Sequence, residues 1–129
     1  MKTQILGDGV AAMMLASQAD DLPDHDISVV HPSGAPITRD HMLGFWEMDG
    51  LEMAIESSRT SWSKWAIITE ANKSVLHSDK HAYHIMHKAN YLHNCREKAE
   101  KHGVKFIEQS DMTSSESAQI FDSRPPRAV

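Results

Sequence analysis

Ile5-Leu6-Gly7-Asp8-Gly9-Val10-Ala11-Ala12 carries a short apolar segment into two closely spaced glycines and then into small, helix-favouring residues. Thr3 to Leu6 has the extended character of a strand, Gly7 and Gly9 mark a tight turn, and residues 10–19, rich in Ala, Met and Leu, predict a helix. The acidic run Asp20-Asp21-Leu22-Pro23-Asp24-His25-Asp26 ends that helix. Ile27-Ser28-Val29-Val30-His31, bounded by Pro32 and Gly34, reads as a buried strand. Residues 3–31 therefore form a β-α-β unit, whose right-handed crossover makes its two strands parallel.

Gly7, Gly9 and Ala12 fit the GxGxxG/A dinucleotide fingerprint. The first glycine permits the turn, the second lets backbone approach a pyrophosphate, and the small third residue lets helix pack on strand. The helix start adds N–H groups and the positive end of a dipole. The alternative is a purely structural turn. Two departures stand out. Asp8 puts a carboxylate inside the turn, where it repels phosphate unless it points away. His31 ends the second strand, where an acid normally takes the ribose hydroxyls.

Working outward, residues 32–61 read as a loop followed by a weak helix over 47–57, with Phe45 and Trp46 as bulky anchors and Gly50 as an interruption. Residues 62–86 predict a small antiparallel insertion, with strands at 65–69, 73–77 and 82–86. An amphipathic helix follows over 88–102, with Tyr91, Leu92, Cys95 and Ala99 on one side and a Glu97/Lys101 pair in the favourable order. Gly103 terminates it, and returning strands occupy 104–108 and 117–122. The expected fold class is α/β, a Rossmann-like FAD/NAD(P)-binding fold with parallel strands and a small antiparallel β insertion, in a single truncated domain over 1–129.

The composition agrees. The 129 residues, 40% hydrophobic and 24% charged, suit one domain with one modest core. No stretch approaches the ~20 apolar residues of a membrane span, and the start lacks the pattern of a signal peptide, so the expectation is a cytoplasmic protein, peripheral to a membrane at most. Net charge is −5 with scattered Lys and Arg, which argues against nucleic acid as a partner. One cysteine forms no internal disulfide and no CxxC site.

The order of motifs resembles the amino-terminal part of lycopene cyclases. The resemblance rests on residues 5–12, Gly44-Phe45-Trp46-Glu47, Trp62-Ser63-Lys64-Trp65, the stretch 83–92, Gly103-Val104-Lys105-Phe106 and Ile120-Phe121-Asp122-Ser123-Arg124-Pro125. The first motif is shared by many FAD-dependent oxidoreductases and monooxygenases. The resemblance implies a flavoprotein of carotenoid biosynthesis that uses reduced FAD without net redox change to close lycopene ends into rings. It implies that Gly7, Asp8, Gly9, Val10, Ala11 and Ala12 meet the FAD pyrophosphate, His31 the ribose, Arg39 the flavin side and Met112 the adenine. Pro125 stands where the family's Asp-x-Arg is followed by glycine. The family's catalytic acid motif and most of its substrate-binding sheet have no counterpart among these residues, so no catalytic residue is assigned. The partners implied are FAD, a carotenoid such as lycopene, and a second chain supplying the missing half. The alternatives are a non-catalytic nucleotide-binding or partner-binding module, or a fragment of another FAD-dependent oxidoreductase or monooxygenase.

Other clusters have plain readings. His77, His81, His84, His87 and His93 crowd one region but lack HExxH or cysteine partners, so surface and loop histidines are expected and no metal. Trp46, Trp62 and Trp65 read as packing anchors, Met13 and Met14 as core, and Met42, Met48 and Met53 as core or as the wall of an apolar pocket. Cys95 reads as a small buried residue.

Overall fold

The computed structural model describes residues 1–34, 40–111 and 119–125. Along the chain the elements are strand β1 (Lys2–Leu6), helix α1 (Val10–Ala16), a 3-10 turn (Ala19–Asp21), β2 (Asp26–His31), β3 (Met42–Trp46), α2 (Glu52–Glu56), β4 (Thr60–Trp62), β5 (Lys64–Ile68), β6 (Lys73–His77), β7 (Tyr83–His87), α3 (Lys88–Lys101), β8 (Lys105–Glu108), a second 3-10 turn (Gln109–Asp111) and β9 (Gln119–Asp122). They form two compact units, residues 1–39 with 92–129, and residues 40–91.

The first unit is built on a four-stranded sheet in the order β8-β2-β1-β9. Every pairing is parallel: Ile5 lies opposite Val29 and Phe121, and Val29 opposite Phe106. Consecutive β1 residues Thr3, Gln4 and Ile5 are all buried, so this strand is covered on both faces, as central parallel strands are. With the β1-α1-β2 unit at its centre, this is a Rossmann-like α/β fold. Helix α1 stops at Ala16, short of the expected residue 19. Buried Ser17 turns its hydroxyl back to donate to Met14 O at 2.7 Å, competing with the helix for that carbonyl. Met13 is buried, whereas Met14, expected in the core, is exposed. Cys95 and Ala99 on α3 are fully buried. The helix ends in a Schellman arrangement: Gly103 has φ +86°, its N–H donates to Glu100 O, and the N–H of buried Val104 reaches Ala99 O. Glu97 faces His93 at 3.4 Å rather than Lys101, and the well-formed pair on this helix is Arg96 with Glu100 at 2.9 Å.

The second unit is antiparallel, with a three-stranded sheet β3-β7-β4 and the hairpin β5-β6. It begins at Met42, well before the expected Trp62, because Gly44 in mid-strand hides the alternation of β3. A Cβ at Gly44 would run into the Tyr83 hydroxyl, so the glycine lets the Tyr83 ring lie across β3. The expected helix over 47–57 is confined to α2, since Gly50 at φ +93° holds a backbone shape that an L side chain resists. His84 and Met86 of β7 point to the buried side of the sheet. On the other side Trp46 and Trp62 flank Tyr83 in direct register. Trp46 also meets Trp65 at 4.5 Å, yet Trp46 and Trp62, expected as packing anchors, remain exposed. The hairpin leaves Ile67, Ile68, Val75 and Leu76 exposed. Among the described residues no helix is long and apolar enough to cross a membrane.

Candidate functional site

The C-terminal edge of the parallel sheet gathers residues that are far apart in sequence. β1 enters the glycine turn, and Gly7 N–H donates to Val30 O at 2.9 Å, tying the turn to the end of β2. Gly7 has φ +105° and no room for a side chain, because a Cβ would lie 2.5 Å from Ser123 Oγ. Ser123 in turn donates from both N and Oγ to Leu6 O, each at 2.9 Å. Gly9 is different. Its φ of −74° is ordinary, and nothing lies within 4 Å of the place a Cβ would take. The first glycine is thus required by the turn, and the second keeps the space in front of the backbone clear. Val10, Ala11 and Ala12 follow as the first turn of α1, where N–H groups have no intrahelical acceptor. α1 has only seven residues, so these N–H groups, rather than a long helix dipole, are the chemical resource of the turn.

β1 connects through α1 to β2 on one side, while β9 lies on the other, so the glycine turn stands where the strand order changes direction. In open α/β sheets ligands bind in the crevice at such points. β9 also brings Asp122-Ser123-Arg124 there. Arg124 Nε and Nη2 grip the Asp122 carboxylate at 2.8 and 2.7 Å, and this charge-assisted fork holds the Asp122 pKa down to about 2.

The two departures in the fingerprint meet each other. Asp8 does not face the turn; its Oδ2 is 2.6 Å from His31 Nδ1 at the end of β2. The hydrogen bond that His31 donates to Asp8, and behind it the charges of Asp8 and Glu108, raise the His31 pKa above 6.5 against the cost of desolvation. Beside the pair opens a cleft of about 310 Å³, lined by Val29, Arg96, Phe106, Ile107 and Glu108 as well as Asp8 and His31. Arg39 and Met112, the remaining expected site residues, lie outside the described residues.

A second constellation was not visible in the sequence, because its members are separated by tens of residues. His84, buried under a parallel Phe45 ring at 5.0 Å, places Nε2 at 2.9 Å from Glu47 Oε2 and Nδ1 at 2.9 Å from Ser58 Oγ. This resembles a nucleophile, base and acid in sequence, but acyl transfer also needs N–H groups free for an oxyanion. Ser58 N–H is spent on Ile55 O and Arg59 N–H on Ile85 O. The network serves to satisfy a buried imidazole. The other clustered histidines have partners of their own: His77 meets Asp79, His81 the Glu47 carbonyl, His87 both Arg59 and Asp40, and His93 Glu97. No group of three potential metal ligands occurs among the described residues.

Several solved structures share this fold. The tetrameric form of 2-methyl-3-hydroxypyridine-5-carboxylic acid oxygenase matches with a TM-score of 0.61 at 15% identity over 83% of this chain and 31% of its own. The peptidyl tryptophan dihydroxylase QhpG matches with a TM-score of 0.63 at 13% identity, over 98% of this chain and 33% of its own. CtdE, in complex with FAD and substrate 4, matches with a TM-score of 0.59 at 14% identity, over 84% of this chain and 30% of its own. The chain spans about a third of the length of these structures. No protein-family model matches the chain, and no curated protein sequence does.

Proposed function

We propose that the chain is the FAD-binding front part of a flavoprotein of the oxygenase type. The observation that carries this reading is the glycine turn: Gly7 is locked by β9, while Gly9 leaves open space before the backbone at the crevice where the strand order reverses. The fold it shares with CtdE, whose structure holds FAD, supports the same cofactor. The residues fit it. Gly7, Gly9 and the N–H groups of Val10, Ala11 and Ala12 would hold the pyrophosphate, and the Asp8 carboxylate, turned to His31, is paired and drawn off it. FAD, when bound, supplies reversible two-electron chemistry at its ring system. This chain's part is to bind and orient the cofactor, and no residue of it is assigned to a chemical step.

A second reading is a lycopene cyclase. It is favoured by the way Gly44, Trp46, Trp62, Trp65 and Tyr83, which carry that resemblance, form one interlocked aromatic group rather than scattered matches. On this reading a carotenoid would lie against the antiparallel unit. A second part of the protein, or a second chain, would cover the exposed Ile67, Ile68, Val75 and Leu76. Titrating the purified chain with FAD, followed by flavin fluorescence, tests the cofactor; absence of binding refutes the proposal. Expression in a lycopene-producing host, alone and with the missing half, tests the second reading, which unchanged lycopene in both cases refutes.

A further inference from the structure

The carboxylate missing from the end of β2 is supplied from the turn. A ribose diol needs hydrogen-bond acceptors, and the fingerprint normally places an acid at this strand end to provide them. His31 stands there instead; as an imidazolium it only donates, and as a neutral ring it offers one lone pair. But His31 Nδ1 holds Asp8 Oδ2 at 2.6 Å, with both side chains about half exposed, so a carboxylate lies at the end of β2 after all. Oδ1 of Asp8 has no hydrogen-bond partner among the described residues and remains an acceptor.

We propose that Asp8, oriented by His31, is the ribose-binding acid of this chain, and that the site selects an adenine dinucleotide whose ribose 2′-hydroxyl carries no phosphate. The proposal rests on the nucleotide-binding reading above. Three features of the cleft support it. Its volume of about 310 Å³ falls at the small end of ligand sites. Glu108 lies directly opposite His31 across the β2/β8 pairing, so a 2′-phosphate would meet two carboxylates. Arg96, which also lines the cleft, is already held over the Phe106 ring at 4.4 Å and bound to Glu100 at 2.9 Å, which leaves it poorly placed to receive a phosphate. The pairing has a second effect: it turns the Asp8 carboxylate toward His31 and away from a turn meant for a diphosphate. Each departure from the fingerprint corrects the other.

The test is calorimetric titration of the full chain with FAD, with ADP-ribose, and with ADP-ribose bearing a 2′-phosphate. Wild type should bind FAD and prefer ADP-ribose over its 2′-phosphate by about tenfold or more, the range expected for a hydrogen bond to a charged group. Asp8→Ala should weaken FAD and ADP-ribose by about tenfold or more and narrow that preference. His31→Asp added to Asp8→Ala moves the acid back to β2 and should restore both affinity and preference. Circular dichroism of each variant separates loss of fold from loss of binding, and Asp8→Asn serves if Asp8→Ala does not fold. Wild-type binding of FAD with Asp8→Ala within twofold of it, or equal affinity for the two ADP-ribose forms, overturns the assignment of Asp8 and leaves the cofactor reading standing. Failure of wild type to bind any of the three overturns both.

Discussion

Replacing the two glycines of the turn should separate stability from binding. In Gly7→Ala the new Cβ enters a backbone at φ +105° and comes within 2.5 Å of Ser123 Oγ. The backbone strain costs roughly 1–3 kcal/mol. The hydroxyl can rotate away, but it then gives up its 2.9 Å hydrogen bond to Leu6 O, worth about 0.5–1.5 kcal/mol. The sum is about 1.5–4.5 kcal/mol. With a urea slope of about 2 kcal/mol per molar, the unfolding midpoint should fall by about 1–2 M. In Gly9→Ala φ is −74° and the space is open. The entropy gained by restricting the unfolded chain is offset by a poorer helix cap, so stability should stay within about 1 kcal/mol of wild type. FAD affinity should nevertheless fall, because the methyl group occupies the ground that backbone must share with the pyrophosphate. Urea unfolding by far-UV circular dichroism, alongside FAD titration, reads both effects. A Gly7→Ala protein as stable as wild type, or one destabilised no more than Gly9→Ala, would refute the claim that β9 locks the first glycine.

Other consequences can be checked independently. Gly44→Ala should push the Tyr83 ring off β3, costing about 1–3 kcal/mol and weakening the near-UV dichroism of the Trp46, Tyr83 and Trp62 group; an unchanged near-UV spectrum would contradict it. His84→Ala removes the Phe45 stack and leaves Glu47 and Ser58 without their shared partner, so urea unfolding should show a loss of about 2–4 kcal/mol. His31 should titrate above 6.5 in an NMR pH series, and Asp8→Asn should bring it back down; its contribution to stability is present below pH 6.5 and fades as pH rises through the raised value. Asp122 should titrate near pH 2 and return toward 3.8 in Arg124→Ala, its contribution being present above pH 3.8 and lost as pH falls through about 2.

Local chemistry explains what could be read from the residues. The glycine turn, the β-branched run of β2 and the Gly103 stop each act within a few positions, so pattern alone placed them. The end of α1 is not legible in the pattern because the Ser17 side chain competes for a helix carbonyl. β3 and the three-residue β4 carry no strand pattern because a mid-strand glycine and a short length erase alternation; only the partner β7 reveals them. The Glu47, His84 and Ser58 network lay beyond reach for a different reason. A buried polar network is defined by who satisfies whom, and those partners are 37 and 26 residues apart.

Asp8 and His31 show the same limit at the candidate site. Taken singly, Asp8 places negative charge where a diphosphate should bind, and His31 removes the acceptor a ribose needs; each alone argues against a nucleotide. They are 23 residues apart in sequence and 2.6 Å apart in space. Parallel pairing of β1 with β2 puts Leu6 opposite Val30, so Asp8, two residues past Leu6, and His31, the residue after Val30, emerge at the same sheet edge. A β-α-β unit therefore couples these two positions whatever the intervening helix contains. A fingerprint scored position by position counts two defects, whereas the 2.6 Å contact brings the acid of the turn to the strand end, where the pattern requires one. It follows that substituting either residue alone should harm binding more than exchanging the acid from the turn to the strand end.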